Sequence, residues 1–326
     1  MKPCHCNPDL TSVQRAVTIL ADNSTRLAEF RTQTAVAEEP GRRVVYKRAL
    51  TQEAASFLRT IVEREAASRD YLDGQFCVLC GELADDRIEY GYLPYRSLRE
   101  VIAEDLRHKR WDAANAVFNT YIHKLKALPA KRVVPLEFLR TIARGAGDGT
   151  IAVDCLCRGV IDLVPRNILI DGDRWIVLDN EWSFDFPIPL QFVLFRALLE
   201  TSMALAPEIC GAAAESFPIS DVFIAGFNKR YYVPVDWLQY LEQDGTRLSE
   251  MMEWEMGFQR YVRGPRHTGL WRINKHPTVM DRCLPPRVRS PGRLAAIVKS
   301  LPIVRPSIQA VRRMCICVYD WGRAQR

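Results

Sequence analysis

The stretch that decides the fold is I-D-L-V-P-R-N-I-L-I at residues 161–170, followed by I-V-L-D-N-E-W at residues 176–182. Two short apolar runs separated by a glycine-containing turn predict a β-hairpin. This hairpin would gather Asp162, Asn167 and Asp179 at one end. Three oxygen-bearing side chains in one place suit a hard divalent cation and an attacking hydroxyl, which phosphoryl transfer from a nucleotide requires.

The same pattern also has an ordinary structural interpretation. An Asp and an Asn five positions apart occur by chance in many chains, and a hairpin with an aspartate at each end can be purely structural. The second strand, however, ends in D-N-E-W at residues 179–182. The two motifs together favour a catalytic arrangement over the structural one.

Length and composition indicate a globular chain. Its 326 residues suffice for one large domain or two lobes, and 48% hydrophobic with 26% charged residues is ordinary for a soluble protein. No run reaches the roughly 18–20 apolar residues of a membrane span. Residues 1–10 do not resemble a signal peptide, so the sequence predicts a cytoplasmic protein. Among the ten cysteines, Cys77 and Cys80 lie in an apolar run that predicts a buried strand. Disulfide bonds are not expected in a cytoplasmic protein.

Hydrophobic periodicity predicts an α+β chain. The expected order of strand, strand, helix, strand and strand resembles the small lobe of a protein-kinase-like fold, which implies a two-lobed architecture. Residues 1–92 would form a small β-rich N-lobe, residues 93–285 a helical C-lobe that carries the hairpin, and residues 286–326 a basic tail. The N-lobe pattern predicts an N-terminal helix at 11–21, strands at 27–36 and 43–48, a helix at 51–69 and strands at 76–83 and 87–92. The C-lobe pattern predicts helices at 97–107, 111–128, 135–145, 189–206, 219–230, 234–241 and 246–262.

The hairpin resembles the catalytic and metal-binding loops of the protein-kinase-like superfamily, and is closer to its small-molecule and sugar kinases than to protein kinases. The runs at 162–169, 178–185 and 187–196 (P-I-P-L-Q-F-V-L-F-R) are similar to bacterial polysaccharide kinase domains, of the O-antigen or lipopolysaccharide type, that accompany chain-terminating methyltransferases. The similarity covers about residues 44–200. It implies an ATP- and Mg2+-dependent kinase that phosphorylates a sugar hydroxyl of a lipid-linked surface polysaccharide.

The resemblance implies a role for each residue of the hairpin. Asp162 would accept the proton of the acceptor hydroxyl, while Asn167 and Asp179 would hold Mg2+ across the phosphates. Glu181, two positions after Asp179, would add a second metal or water contact.

The resemblance also places a nucleotide site on the N-lobe. Lys47 ends a predicted strand and would bind the α- and β-phosphates, steadied by a helix glutamate. Glu65 and Glu63 are both candidates, and helical spacing puts Glu65 on the apolar face, where an unpaired carboxylate would be costly. We therefore assign Glu65 and keep Glu63 as the alternative.

Adenine would be held at the junction of the two lobes. The segment I-E-Y-G-Y-L-P at residues 88–94 is similar to the hinge of the same family. Backbone hydrogen bonds of such a hinge usually hold adenine, so the expected contacts are Glu89, Tyr90, Gly91 and Tyr92.

Two features depart from the kinase pattern. Val160 stands where many kinases have histidine, and no G-x-G-x-x-G precedes Lys47. Two alternatives therefore stay open. One is a small-molecule kinase of the aminoglycoside or choline type, and the other is a non-catalytic pseudokinase scaffold in glycan assembly.

The positive charge of the chain is concentrated in the tail. Residues 287–326 carry nine lysines and arginines and one aspartate, a net charge of +8. Basic and apolar residues mix at 293–321, which suits an anionic membrane surface and predicts a peripheral location on the inner face of the membrane. Packing of the tail on the C-lobe is the alternative. The expected partners are a sugar or polysaccharide acceptor and a glycosyltransferase or methyltransferase, with no nucleic acid expected.

Overall fold

The computed structural model describes residues 17–144, 151–212, 216–224, 227–241 and 243–265. The basic tail, including the amphipathic segment 293–321, lies outside these residues, as do residues 11–16 of the expected N-terminal helix. No helix in the described ranges is both long enough and apolar enough to cross a membrane.

An antiparallel five-stranded sheet forms the N-terminal part, in the order β1-β2-β3-β6-β5. Lys47 lies on β3, between Thr34 of β2 and Ile88 of β6. Helix α1 packs on this sheet through buried residues that include Leu58, Ile61 and Glu65. The elements of this part are β1 (Val17–Asp22), β2 (Thr32–Glu39), β3 (Arg42–Ala49), α1 (Ala55–Leu72), β4 (Cys77–Val78), β5 (Glu82–Ala84) and β6 (Arg87–Gly91).

The remainder is mostly helical, so the chain has the predicted α+β architecture. Helix α2 begins with the predicted capping box, since Ser97 and Glu100 exchange side-chain to backbone hydrogen bonds. The helices are α2 (Leu98–Arg107), α3 (Trp111–Lys126), α4 (Leu136–Thr141), α5 (Leu190–Ala204), α6 (Ala206–Ala212), α7 (Val235–Leu238) and α8 (Leu248–Arg263). The strands are β7 (Arg96–Ser97), β8 (Ala130–Val133), β9 (Val153–Leu156), β10 (Gly159–Val160), β11 (Ile168–Asp171), β12 (Arg174–Val177), β13 (Ser183–Phe184), β14 (Ile188–Pro189), β15 (Ser216–Ile224) and β16 (Phe227–Pro234).

The predicted hairpin is formed by β11 and β12. Ile168 pairs with Val177, and Asp171 pairs with Arg174 beside the turn. Gly172 has a φ of 58° in that turn, a left-handed conformation that glycine adopts without a steric cost. Both strands lie in the middle of a sheet ordered β4-β12-β11-β7, which fixes the hairpin against α2.

Two helix predictions are wrong. Residues 17–21 of the expected N-terminal helix belong to strand β1, and residues 219–230 fall in the β15–β16 hairpin. Both segments are rich in β-branched or aromatic residues, which favour strands once a neighbouring strand is available. Short apolar runs do not distinguish helix from strand by periodicity alone.

The cysteine prediction is also corrected in part. Cys77 is exposed and Cys80 is half-buried, because strand β4 is only two residues long. Cys155, in contrast, is buried.

Candidate active site

The hairpin and the segments that flank it bring the predicted catalytic residues together. Asp162 follows β10, Asn167 directly precedes β11 and Asp179 follows β12. The Asn167 amide donates from Nδ2 to the backbone carbonyl of Asp162 across 3.1 Å. Asp179 has a φ of 51°, a conformation that is uncommon for a residue with a side chain. Local backbone geometry thus presents all three side chains at one end of the hairpin.

Asp162 is buried, with 3% of its surface exposed. Nη2 of Arg196 lies 3.8 Å from its Oδ1. Burial, together with the nearby Asp179 and Glu181, raises the pKa of Asp162 to about 7 against the opposing effect of Arg196. A carboxyl group that titrates near neutral pH suits proton transfer to and from a hydroxyl.

Lys47 reaches from β3 to the end of the hairpin. Its Nζ forms ion pairs with Oδ1 of Asp179 and, across 3.0 Å, with Oε2 of Glu181. Burial opposes the charge on Lys47, but these two carboxylates outweigh it and raise the pKa of the lysine. The lysine is therefore a fixed positive charge at the centre of the site.

Glu65 makes no hydrogen bond to Lys47 and lies behind the ion pairs that Lys47 forms with Asp179 and Glu181. It is fully buried and accepts hydrogen bonds from the Gly81 backbone N–H across 2.9 Å and from the Tyr90 hydroxyl across 2.8 Å. Burial raises the pKa of Glu65. Glu63, the alternative, is exposed. A Cβ at Gly81 would lie 2.6 Å from the Tyr90 ring, so only glycine fits beside the Glu65 carboxylate.

Glu181 is the direct partner of Lys47 and also of Arg26, which the motifs did not indicate. Nη2 of Arg26 lies 2.6 Å from Oε1 of Glu181, which is 1% exposed. Burial opposes ionisation of Glu181, but Lys47 and Arg26 outweigh it and lower its pKa to about 2. Arg26 belongs to the connection between β1 and β2, where no recognisable pattern marks it.

Two further ion pairs border the site. Arg166 pairs with Glu200 across 2.7 Å, and Arg196 pairs with Glu255 across 2.6 Å. Arg166 lies within the hairpin motif and Arg196 ends the apolar run at 187–196. Both arginines are therefore part of the quoted motifs, but the motifs do not indicate which carboxylates they pair with. Those partners are on α5 and α8, far away in the chain.

The donors at the hairpin end fit a magnesium ion. The Asp179 side chain is 39% exposed, and Oδ1 of Asn167 accepts one hydrogen bond, from Arg166, and keeps a second lone pair. Mg2+ binds to one or two protein carboxylates together with waters and substrate phosphates. Within the part of the chain that the structure describes, no three His, Cys, Asp or Glu side chains form a closed metal site. The assignment of Asn167 and Asp179 as Mg2+ ligands therefore stays a prediction.

The predicted hinge occupies the end of β6 and the segment after it. Glu89 and Gly91 pair with β3, and β5 pairs with β6 only as far as Glu89. Tyr90 turns its hydroxyl inward to a buried carboxylate, whereas Tyr92 is 38% exposed. Among the described residues, the backbone of 92–95 makes no hydrogen bond to other backbone groups, so these groups are free to contact a ligand.

A cavity of about 350 Å3 adjoins Asp162. It lies between the β1–β2 connection, the hairpin, α5 and the last turns of α8. Its charged lining residues are four carboxylates and four arginines: Asp162, Glu181, Glu200, Glu255, Arg26, Arg166, Arg196 and Arg263.

No family model and no curated protein matches the chain. Similar solved structures include the apo form of a thermostable mutant of the aminoglycoside phosphotransferase APH(4)-Ia, with 10% identity, 76% of this chain and 86% of that chain covered, and a TM-score of 0.42. Choline kinase LicA from Streptococcus pneumoniae is 13% identical over 71% of this chain and 88% of that chain, with a TM-score of 0.31. Macrolide 2'-phosphotransferase MphH from Brachybacterium faecium is 12% identical over 57% and 75%, with a TM-score of 0.30. Each TM-score is below 0.5, so the function proposed below depends on the geometry of the site.

Proposed function

We propose that the protein is an ATP- and Mg2+-dependent phosphotransferase that phosphorylates a sugar hydroxyl. The observation that carries this proposal is the position of Asp162, which is buried at the wall of the cavity and whose backbone carbonyl is bonded to Asn167 at the hairpin end. One side of this arrangement offers a proton acceptor to a ligand in the cavity. The other side offers oxygen donors to a cation.

The chemical role of Asp162 is to take a proton. As the acceptor oxygen forms its bond to the γ-phosphorus, the bond from that phosphorus to the bridging oxygen breaks and the hydroxyl proton passes to Asp162. Mg2+-ATP supplies the phosphoryl group and the cation that balances its charge. Asn167 and Asp179 would hold that cation, and Glu181 fixes Lys47 beside them.

The N-terminal sheet would hold the nucleotide. Lys47 is a positive charge at the site whatever the pH in the neutral range, and it would bind the α- and β-phosphates. The backbone from Tyr90 to Tyr92 would contact adenine at the edge where β5 has ended, whereas the expected contact at Glu89 lies where β6 is still paired with both β3 and β5. Glu65 would act at a distance on Lys47, since its carboxylate is bonded to Gly81 and Tyr90.

The charges in the cavity favour a sugar acceptor over a cationic one. Each carboxylate of the cavity lining has an arginine within 4 Å, so the lining has no excess negative charge to attract an aminoglycoside amine. The aromatic rings there are also covered by arginines, since Arg26 lies 5.4 Å from the Trp182 ring and Arg196 lies 4.4 Å from the Phe258 ring. A choline headgroup would need such a ring face. A neutral polyhydroxylated acceptor avoids both conflicts.

The finer proposal is that the acceptor is a lipid-linked surface polysaccharide. It is supported by the motif similarity over residues 44–200 and by the neutral balance of the cavity. Transfer of labelled phosphate from ATP would be measured with a lipid-linked glycan extract, kanamycin and choline at equal concentration. Label on the glycan fraction alone is the expected result, whereas label on kanamycin or choline would establish the alternative.

Two substitutions test the catalytic assignment. Asp162→Asn should keep Mg2+-ATP-dependent thermal stabilisation and lose about 100- to 10,000-fold in transfer rate, the usual contribution of a general base. Asp179→Ala should lose the stabilisation itself. Unimpaired transfer by either variant would contradict the proposal.

The basic tail provides a separate proposal about location. Its net charge of +8 suits an anionic membrane surface, which would bring the site close to a lipid-linked acceptor. Co-sedimentation with anionic liposomes at low salt would compare the full chain with a version that ends at Pro286. If neither sediments, the membrane proposal is wrong.

A further inference from the structure

The connection between β1 and β2 carries an arginine into the cavity. This connection, residues 23–31, contains no glycine. Asn23, Thr25 and Arg26 from it line the same cavity as Asp162. Nη2 of Arg26 is bonded to Glu181, whereas its Nη1 is buried and has no hydrogen-bond partner among the described residues. A buried donor without a partner is costly, so Nη1 is well placed to receive an acceptor from a ligand.

The connection is held in place by contacts on both sides. The Leu27 backbone N–H donates to the carbonyl of Val262 on α8 across 2.9 Å. Nε of Arg31 donates to the carbonyl of Arg26 across 2.9 Å. The Phe30 ring packs in an aromatic cluster with rings from α1 and α8. Arg26 is therefore positioned by the fold before any ligand binds.

The position of Arg26 relative to Lys47 defines where phosphates would run. The two cations bind opposite oxygens of Glu181, with Oε2 on Lys47 and Oε1 on Arg26. Lys47 lies on the sheet side, and Arg26 lies in the cavity with Asp162. A phosphate chain that starts at Lys47 and ends beside the proton acceptor must bring its last phosphoryl group next to Arg26.

We propose that Arg26 binds the terminal phosphoryl group of the nucleotide, in place of the backbone donors of a glycine-rich loop. This inference depends on the proposed function. Lys47 and Arg26 together balance the carboxylates of Asp179 and Glu181, and the preorganised guanidinium keeps one nitrogen without a partner for the oxygens of a phosphoryl group. The unpartnered Nη1 can give the phosphoryl group a charge-assisted hydrogen bond, which is stronger than a neutral one.

Binding of two nucleotides that differ only in the terminal group tests the proposal without any acceptor. Dissociation constants for Mg2+-ADP and for Mg2+ with the non-hydrolysable analogue AMP-PNP would be measured by calorimetry on the full chain. In Arg26→Ala the affinity for AMP-PNP should fall about ten- to a hundredfold, the usual effect of losing a charge-assisted hydrogen bond. The affinity for ADP should change less than about threefold.

Two more variants control for charge and for folding. Arg48→Ala removes an exposed arginine from β3 and should leave the ratio of the two affinities unchanged. Arg26→Lys keeps a cation beside Glu181 but removes the second nitrogen, Nη1, so the ratio should fall by an intermediate amount in a fully folded protein. An unchanged ratio in Arg26→Lys and Arg26→Ala, or an equal loss for both nucleotides, would overturn the proposal and make Arg26 a structural partner of Glu181. Failure of the wild type to bind either nucleotide would instead refute the proposed function on which it rests.

Discussion

Glu65 and Glu181 are two buried glutamates on either side of Lys47, and their surroundings differ. Glu65 receives hydrogen bonds from two neutral donors, Gly81 and Tyr90, and burial raises its pKa. Glu181 lies between Lys47 and Arg26, which lower its pKa to about 2 despite equally deep burial. Burial by itself therefore does not decide the charge of a carboxyl group, because the charge of its partners decides it.

The comparison also separates two functions within one site. Glu181 and its partners Lys47 and Arg26 are the charges that face the cavity and the hairpin end. The Glu65 region joins α1 to the sheet behind Lys47. Substitutions in the first region should affect transfer and stability together, whereas substitutions in the second should have smaller effects.

The largest effect is expected for Lys47→Met. Removing the lysine leaves Glu181 with Arg26 alone and Asp179 without its ion pair. We expect a loss of about 3 kcal/mol in the free energy of unfolding, at the low end for breaking a buried pair since Asp179 is partly exposed, and a loss of transfer. Urea unfolding would measure the first quantity. Arg48→Met, on the same strand but exposed, removes only the hydrogen bonds to the Gln33 amide oxygen and should change stability by about 1 kcal/mol or less. Equal stability of the two variants would show that the Lys47 cluster does not stabilise the fold.

An intermediate effect is expected for Glu181→Gln. The variant should be less stable than the wild type by about 1–3 kcal/mol at pH 7, because Lys47 and Arg26 lose a charged acceptor. The pKa of Glu181 is lowered, so its contribution is complete above the unfolded value near 4.5 and is lost as pH falls toward 2. Urea unfolding at pH 7, 4 and 3, without nucleotide or metal, should therefore show the two proteins converging at low pH. A constant difference would contradict the assigned ionisation.

The smallest effect is expected for Glu65→Gln. The one carbonyl oxygen of a glutamine can accept from the Gly81 N–H while its amide donates to the Tyr90 oxygen, so the change should be within about 1 kcal/mol at pH 7. Its pH dependence should have the opposite sign to that of Glu181. The pKa of Glu65 is raised, so the wild type loses stability relative to the variant as pH rises from 4.5 through the folded pKa. Glu63→Gln, at an exposed position, should show neither effect. If Glu65→Gln abolishes transfer as Lys47→Met does, Glu65 is a partner of Lys47 in the working enzyme.

The local sequence was enough to predict those elements whose sequence pattern spans only a few neighbouring residues. The hairpin of β11 and β12 follows from two apolar runs and a glycine turn, and α2 follows from the Ser97–Glu100 capping box. The burial of Glu65 follows from helical spacing. Each of these depends on neighbours in the chain, for which spacing is sufficient information.

Tertiary structure decided the features that depend on distant segments. Strand β1 resembled a helix in its spacing and became a strand because β2 offers its backbone hydrogen bonds. Glu181 is bonded to Lys47 and to Arg26, which are 134 and 155 positions away. A long-range ion pair leaves no periodic pattern in the sequence, and its partners are set by how the sheet, the hairpin and α8 pack together. The sequence therefore determined which chemical groups are present at the site, and the packing of distant elements determined which of them are paired.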